Sequence, residues 1–565
     1  MSSRKAPTDP VKKRPGFYIM FEKQIEATKR DTGVCSQEIY LNDGRLVSMA
    51  KIAGNIKDES MLSLIRTAKG FRKLTDSIGI CVTGENHQET IWAVFQMYGR
   101  QDMYGGGTII RVPVFANGAE TIIRLQDIVW SDDDDIPGKL SFEFEEAGEL
   151  ATATVKLYLN EGYEAPECLE EDPPVLEGVS YQNMIAKSLL SLGDGSRIRK
   201  VIKKAQEGKT VTIAYIGGSI TQGAGAKPIH TNCYAYRSYE WFRENYGCGD
   251  KSNVRFIKAG VGGTPSELGM IRYQEDVLRG GTEQPDFVIV EFAVNDEGDE
   301  TRGECYESLI REILNQGNEP AVLLLFAVFA DDFNLQDRLA PIGYHYHLPM
   351  VSVKDAVVDQ FYDTKNRVIS KNQYFYDCYH PTNLGHKIMA DSIRFCIEQE
   401  LKQQDLQSQD KVLYAKPFMG RAFEQIRMFD RRNASQYSNI QSGDDWTSDT
   451  ELQCVEMDAN PYQTPEFTHN WMHTPSCTEH TFCVTVKSEA LFLVYKDSGD
   501  NAFGTAEIYI DGTHARTADP HVNGWTHCNA ILLYANSSAE EHTVEIKADP
   551  EKKFTILAFA TATVV

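Results

Sequence analysis

The spacing of hydrophobic positions divides the chain into three kinds of pattern. Between about Gly16 and Gly162 apolar and polar residues alternate, as in KLSFEFE (Leu140, Phe142, Phe144) and TVKLYLN (Val155, Leu157, Leu159). A period of two puts every second side chain on one face, so these runs predict antiparallel strands with one solvated face. Gly105-Gly106-Gly107 and Asn117-Gly118 supply turns between them, and an N-terminal β-sandwich is expected. Further on, near-continuous apolar strands (Val211–Ile216, Phe287–Phe292, Ala321–Phe329) alternate with helix-like segments (Tyr234–Asn245, Glu304–Asn315, Gly385–Leu401), after a first helical stretch near Asn183–Leu192. Strands without a polar face must be covered on both sides, which predicts an α/β domain with a parallel sheet between helical layers. Toward the C-terminus TFCVTV, ALFLVY, AEIYIDG, NAILLYA, HTVEIKA and FTILAFATAT return at regular spacing, with Asp511-Gly512 as a turn. They predict a second, jelly-roll-like β-sandwich. The acidic, proline-containing stretch Glu164–Glu177 and the polar stretch Lys402–Lys411 read as connectors. The expected domains are therefore 16–163, 177–405 and 412–565.

Composition agrees with this division. The chain has 565 residues, of which 42% are hydrophobic and 24% charged; that length exceeds what one core supports. Lys+Arg 57 against Asp+Glu 81 leaves a net charge of −24, which argues against nucleic acid and anionic membrane surfaces as partners. The amino-terminal MSSRKAPTDPVKKRPG is basic, but no apolar segment follows it, so it does not read as a secretory signal. The longest apolar run, Ala321–Ala330, is too short to span a bilayer. Twelve scattered cysteines without CxxC pairs read as free thiols, and a cytoplasmic location is expected. The acidic run Asp132–Asp135 is expected to be a solvated loop, with a calcium site as the less favoured reading.

The candidate chemistry lies in the α/β segment. In TVTIAYIGGSITQGAGA a buried strand is followed by two glycines and Ser219, where the chain leaves the carboxyl edge of the sheet. That edge is where open α/β sheets bind ligands. It is not the GxSxG elbow, because Thr221 stands where the last glycine would be. KAGVGGTPSE (Lys258–Glu267) is a glycine-rich loop able to offer backbone N–H groups, FVIVEFAVND ends a strand with the Asn295 amide, and YDCYHPTNLGH places Asp377 and His380 three residues apart. A serine hydroxyl needs an imidazole to take its proton, the imidazole needs an orienting partner, and the tetrahedral intermediate needs fixed donors. Each requirement has a candidate.

These four blocks resemble those of the SGNH, or GDSL-type, hydrolases: Ser219 in GGSIT, a glycine in VGGT, Asn295 in VND and His380 in DCYH, over about Thr210 to Ala390. The resemblance implies a three-layer α/β/α sandwich with Ser219 as nucleophile, His380 as base and Asp377 supporting it. The oxyanion hole would comprise the Ser219 N–H, the Gly263 N–H (with Gly262 as the nearby alternative) and the Asn295 amide. The aspartate that precedes the serine in the family signature is Gly218 here, so its local hydrogen bonds must be replaced. With its flanking sandwiches the chain is similar to multi-domain bacterial carbohydrate esterases. That similarity implies removal of acetyl or other short acyl groups from carbohydrate, such as hemicellulose-derived oligosaccharides, without cofactor or metal. It leaves homo-oligomerisation open. The alternatives are a lipase or thioesterase acting on longer acyl esters and a non-catalytic carbohydrate-binding protein.

Other residues carry simpler expectations. Asp296 caps or braces its turn. His386 in LGHK competes with His380 as base but sits inside the predicted helix. His345 and His347 have His-x-His spacing on a predicted strand without a third ligand, and His469 and His473 lack the Glu of HExxH; both pairs are expected not to bind metal. Trp241, Trp446, Trp471 and Trp525 are core residues or sugar platforms. The glycine loops lack the Lys-Ser/Thr of a phosphate-binding motif.

Overall fold

The computed structural model describes residues 16–562 apart from 31–32, 87–88, 168–170, 364, 404–414, 456–457 and 461–463. The basic amino-terminal stretch, most of the Lys402–Lys411 connector and the expected domain limits at 405, 412 and 565 lie outside the described residues. By its contacts the chain divides between Pro173 and Pro174 into two compact units.

The first unit pairs two antiparallel sheets. One has the order Phe17–Glu26, Leu150–Leu159, Thr75–Gly84, Thr121–Arg124; the other runs Thr28–Lys29, Cys35–Tyr40, Asp134–Phe144, Thr90–Gly99, Ile109–Phe115. Their inward positions are the alternating ones of the sequence, with Leu140, Phe142, Val155 and Leu157 all buried. Three short helices, Arg45–Ile52, Glu59–Leu64 and Ala68–Leu74, were not expected from the strand-like pattern. Leu46, Val47, Met49 and Ala50 supply the apolar face of the first. The acidic run is not a free loop: Asp134 opens a strand, is buried, and accepts from the Thr108 N–H and hydroxyl, while Asp133 accepts from the Gln101 N–H.

The second unit is built on a six-stranded sheet in the order Leu189–Ser191, Met350–Ser352, Ala321–Phe326, Phe287–Glu291, Val211–Gly217, Val254–Gly260. All pairings are parallel except that of the short edge strand Leu189–Ser191. Every residue of Val211–Gly217, Phe287–Glu291 and Ala321–Phe326 is buried, because helices cover both faces. Ser196–Gln206, Tyr234–Tyr246 and Asn383–Lys402 form one helical layer; Ser266–Asp276, Glu304–Leu314 and Gln336–His345 form the other. This is a three-layer α/β/α domain.

The C-terminal region is an eight-stranded, mainly antiparallel sheet dominated by two long strands, Thr481–Asp497 and His527–Ala548. The sequence reads each as two separate strands. Instead, the register between them slips where Ser488 pairs with Glu540 and Ala490 with Ala535, so that the second strand carries three extra residues and bulges there. Phe482, Val484 and Val486 before the bulge share one core with Leu491, Leu493 and Tyr495 after it. The alternate residues Ala490, Phe492 and Val494 face the other way, into a continuous core with Leu268, Met270, Cys305 and Leu309 of the α/β domain. The helix Ser266–Asp276 is therefore enclosed on two sides, and nine of its eleven residues are buried.

Candidate active site

The serine strand Val211–Gly217 ends at two glycines, and Ser219 begins the helical turn Ser219–Gln222. The first N–H groups of such a turn have no acceptor within it and remain free to donate. Packing dictates both glycines. A Cβ at Gly217 would lie 2.2 Å from Thr221 Oγ1, and one at Gly218 would lie 2.2 Å from Asn295 Oδ1. The second contact explains the departure from the family signature: the space an aspartate side chain would need is filled by the Asn295 amide.

The loop before Asn383–Lys402 carries the candidate acid and base, Asp377 and His380. Asp377 Oδ1 accepts from the backbone N–H groups of Tyr379 and His380, both at 2.8 Å, which fixes the turn. Its Oδ2 lies 2.8 Å from His380 Nδ1. His380 Nε2 is 3.0 Å from Ser219 Oγ. The carboxylate thus accepts the hydrogen bond from Nδ1–H and leaves Nε2 as the acceptor facing the serine hydroxyl.

The glycine loop that would supply an oxyanion donor follows the strand Val254–Gly260. Gly263 has φ +72°, a conformation glycine adopts freely, and it precedes the helix Ser266–Asp276. Asn295 follows the strand Phe287–Glu291. Asp296 joins these two elements: its fully buried carboxylate accepts from Ser266 N at 2.7 Å and from Ser266 Oγ at 2.8 Å. Arg272, also buried, donates to the carbonyls of Gly217 and Ala259 at 2.9 and 2.8 Å and pairs with Asp276, so it ties together the ends of two adjacent strands.

Buried acids surround this frame. Burial, reinforced by Asp299, pushes Asp296 up to about 8, and burial raises Glu291, which accepts from Thr221 Oγ1, to about 7. Burial and the neighbouring Asp299 raise Glu267 to about 10. Glu267, Asp299 and Cys305 form the one group with metal-like spacing among the described residues. The Asp299 oxygens, however, are taken by the N–H groups of Thr301 and Gly303.

The other sequence candidates separate cleanly. Buried His386 accepts from Tyr234 N at Nδ1 and donates from Nε2 to the Ala224 carbonyl, and burial depresses its pKa to about 3. It braces the segment after Ser219 as a neutral ring. His345 ends a helix rather than lying on a strand, and His347 adopts φ +53° in the turn that follows. His473 contacts the Lys552 carbonyl and His480. Trp446 and Trp471 are core residues, and Trp241 lies beneath Arg394. Trp525, 40% exposed, reaches the oxyanion loop: its Cζ2 would be 3.1 Å from a Cβ at Gly263, with His527 Nε2 at 3.0 Å. Gln453 donates to the Gly262 carbonyl at 2.7 Å. Sequence reasoning placed neither His527 nor Gln453 at the site, since both lie about two hundred residues or more beyond it in an unrelated β-rich region and no local motif marks them.

Residues 215–388 match the GDSL-like lipase/acylhydrolase family model. A two-domain esterase active on acetylated mannans is similar in structure, with 27% identity, 67% of this chain and 99% of that chain covered, and a TM-score of 0.57. The same esterase co-crystallised with mannopentaose gives 26% identity, the same coverage and a TM-score of 0.55. A lipase/acylhydrolase from Enterococcus faecalis is 20% identical over 35% of this chain and 100% of that one, with a TM-score of 0.26. Comparison with curated protein sequences finds no match. Among the described residues no helix is long and apolar enough to cross a membrane. With the four sequence blocks brought together at one edge of a three-layer sandwich, the segment 215–388 is similar to the GDSL-like lipase/acylhydrolase family.

Proposed function

We propose that this protein is a serine esterase that removes acetyl groups from carbohydrate through an acyl-Ser219 intermediate. The observation that carries the reading is the unbroken chain Asp377–His380–Ser219, with contacts of 2.8 and 3.0 Å. His380 Nε2 takes the hydroxyl proton as Ser219 Oγ attacks the ester carbonyl, and Asp377 stabilises the imidazolium that forms. The Ser219 and Gly263 N–H groups and the Asn295 amide hold the oxyanion. Collapse expels the sugar alkoxide, which takes the proton from His380. A water molecule activated by the same nitrogen then releases acetate and restores the serine.

Two features support a sugar ester. The structurally similar esterase acts on acetylated mannans. Aromatic side chains also lie on two sides of the candidate site: Trp525 stands against the glycine loop, and Tyr379, beside His380, packs edge-on against Phe329 at 4.9 Å. Such rings offer apolar faces to sugar C–H surfaces.

The test is acetate release from a panel of acetylated manno-, xylo- and gluco-oligosaccharides, together with a chain-length series of p-nitrophenyl esters. Activity should fall beyond acetyl or propionyl and include at least one acetylated oligosaccharide. A preference for long acyl chains with no acetate released from the panel would overturn the carbohydrate reading. A wild-type protein that a serine-directed fluorophosphonate does not label would overturn the acyl-serine mechanism itself.

A further inference from the structure

The candidate oxyanion loop is held from behind by a side chain of the C-terminal region. Gln453 is buried, 8% exposed. Its Nε2 donates to the Gly262 carbonyl at 2.7 Å, and its Oε1 accepts from Cys528 N at 3.0 Å. Its own carbonyl accepts from Glu466 N at 2.9 Å. Both ends of the amide are thus engaged, and their opposite roles fix its orientation. The loop itself runs between Gln453 and the nucleophile: a Cβ at Gly262 would lie 3.7 Å from Gln453 Nε2 and 3.9 Å from Ser219 Cβ.

A trans peptide plane points the carbonyl of one residue and the N–H of the next in opposite directions. Whatever holds the Gly262 carbonyl therefore aims the Gly263 N–H away from it. Neither residue has a side chain to do so, and Gly263 is free to visit both signs of φ. We infer that Gln453 is a positioning residue for the oxyanion hole: by holding the Gly262 carbonyl it keeps the Gly263 N–H turned toward the reaction centre. Accepting this bond also polarises the peptide, which strengthens the N–H as a donor. The inference rests on the reading of Gly263 as an oxyanion donor given above. It makes the C-terminal region part of the chemical step, independently of any contact that region makes with a substrate.

The test uses the full chain and p-nitrophenyl acetate. Gln453→Met keeps the length and removes both hydrogen bonds. It should lower kcat by about 10–100-fold, the range expected of a misaligned donor, with KM changed less than about threefold. Gln453→Glu keeps the shape but, when ionised, opposes a carboxylate to the Gly262 carbonyl. When protonated it regains a donor, so the ratio of its kcat to that of the wild type should rise as pH falls from about 8 to about 5.5. Packing alone would not give that pH-dependent ratio. A folded Gln453→Met variant with kcat within about threefold of wild type would overturn the inference. So would a Gln453→Glu ratio that stays flat with pH, and this second arm holds even if the Met variant does not fold. Ser219→Ala separates the two levels: if it keeps full activity, the acyl-serine reading has failed rather than the role of Gln453.

Discussion

At Gly218 a single absent methyl group decides where the Asn295 amide can sit. Asn295 Oδ1 occupies the position a Cβ would approach to 2.2 Å, so Gly218→Ala should displace Asn295 and lower kcat on p-nitrophenyl acetate at least about 10-fold with little change in Tm. Wild-type turnover in that variant would show that Asn295 can move without consequence. Ser219→Ala should lower turnover by roughly 10⁴-fold or more and abolish fluorophosphonate labelling; residual turnover near wild type would remove Ser219 from the mechanism. The residues behind these predictions were legible in the sequence because each sits in a short block whose chemistry is local. Asp377 and His380 share one turn, and Ser219 and Asn295 each follow a strand. Trp525 was legible as a candidate sugar platform, but Gln453 and His527 were not legible as site residues, because only packing between distant segments brings them to Gly262 and Gly263.

Among the elements, the helix Ser266–Asp276 shows how one buried acid couples stability to pH. Asp296 caps its first residue through two hydrogen bonds. With its folded pKa raised to about 8, and that of Glu291 to about 7, these acids bind protons in the native state that the unfolded chain gives up near pH 4. Their stabilisation is therefore present at low pH and lost as pH rises through about 7 to 8. His386, depressed to about 3, contributes in the opposite sense. Its contribution is complete above the ordinary histidine range, so it does not mask the effect there. Tm should fall between pH 6.5 and 8.5, and Asp296→Asn, which can still accept from Ser266 N, should flatten that fall. Parallel Tm profiles for the two proteins would show that Asp296 does not titrate in this window. The strand Val254–Gly260 escaped the hydrophobic pattern because Lys258 interrupts it. That lysine is fully buried, and its ammonium donates to the Gln222 carbonyl at 2.9 Å. The long C-terminal strands were split in the sequence reading for a related reason: polar residues at a bulge resemble polar residues at a turn.

The second unit as a whole folds around a core that the α/β domain and the C-terminal sheet share. A fragment of residues 174–565 should therefore fold, unfold in one calorimetric transition and keep its esterase activity on small substrates. A chain ending at 403 should expose Leu268, Met270 and their neighbours and fail to give soluble, active protein. Two separate transitions for the fragment, or an active chain ending at 403, would contradict the shared core. The three fold types were legible from periodicity alone, but this sharing was not. A β-strand that buries both faces in two cores reads the same as one that buries them in one. The bulge near Ser488–Ala490 carries this one step further. Removing Glu489 would restore perfect alternation along Thr481–Asp497, putting Phe482, Val484, Val486, Leu491, Leu493 and Tyr495 in one phase, while the surplus of residues on the partner strand would grow from three to four. The local sequence would then look better suited to a sheet than it does now. Yet the shortened strand would match its partner less well, and Phe492 and Val494, which seat it on the α/β domain, would have to shift to absorb the difference, so that a tidier pattern would make a looser joint.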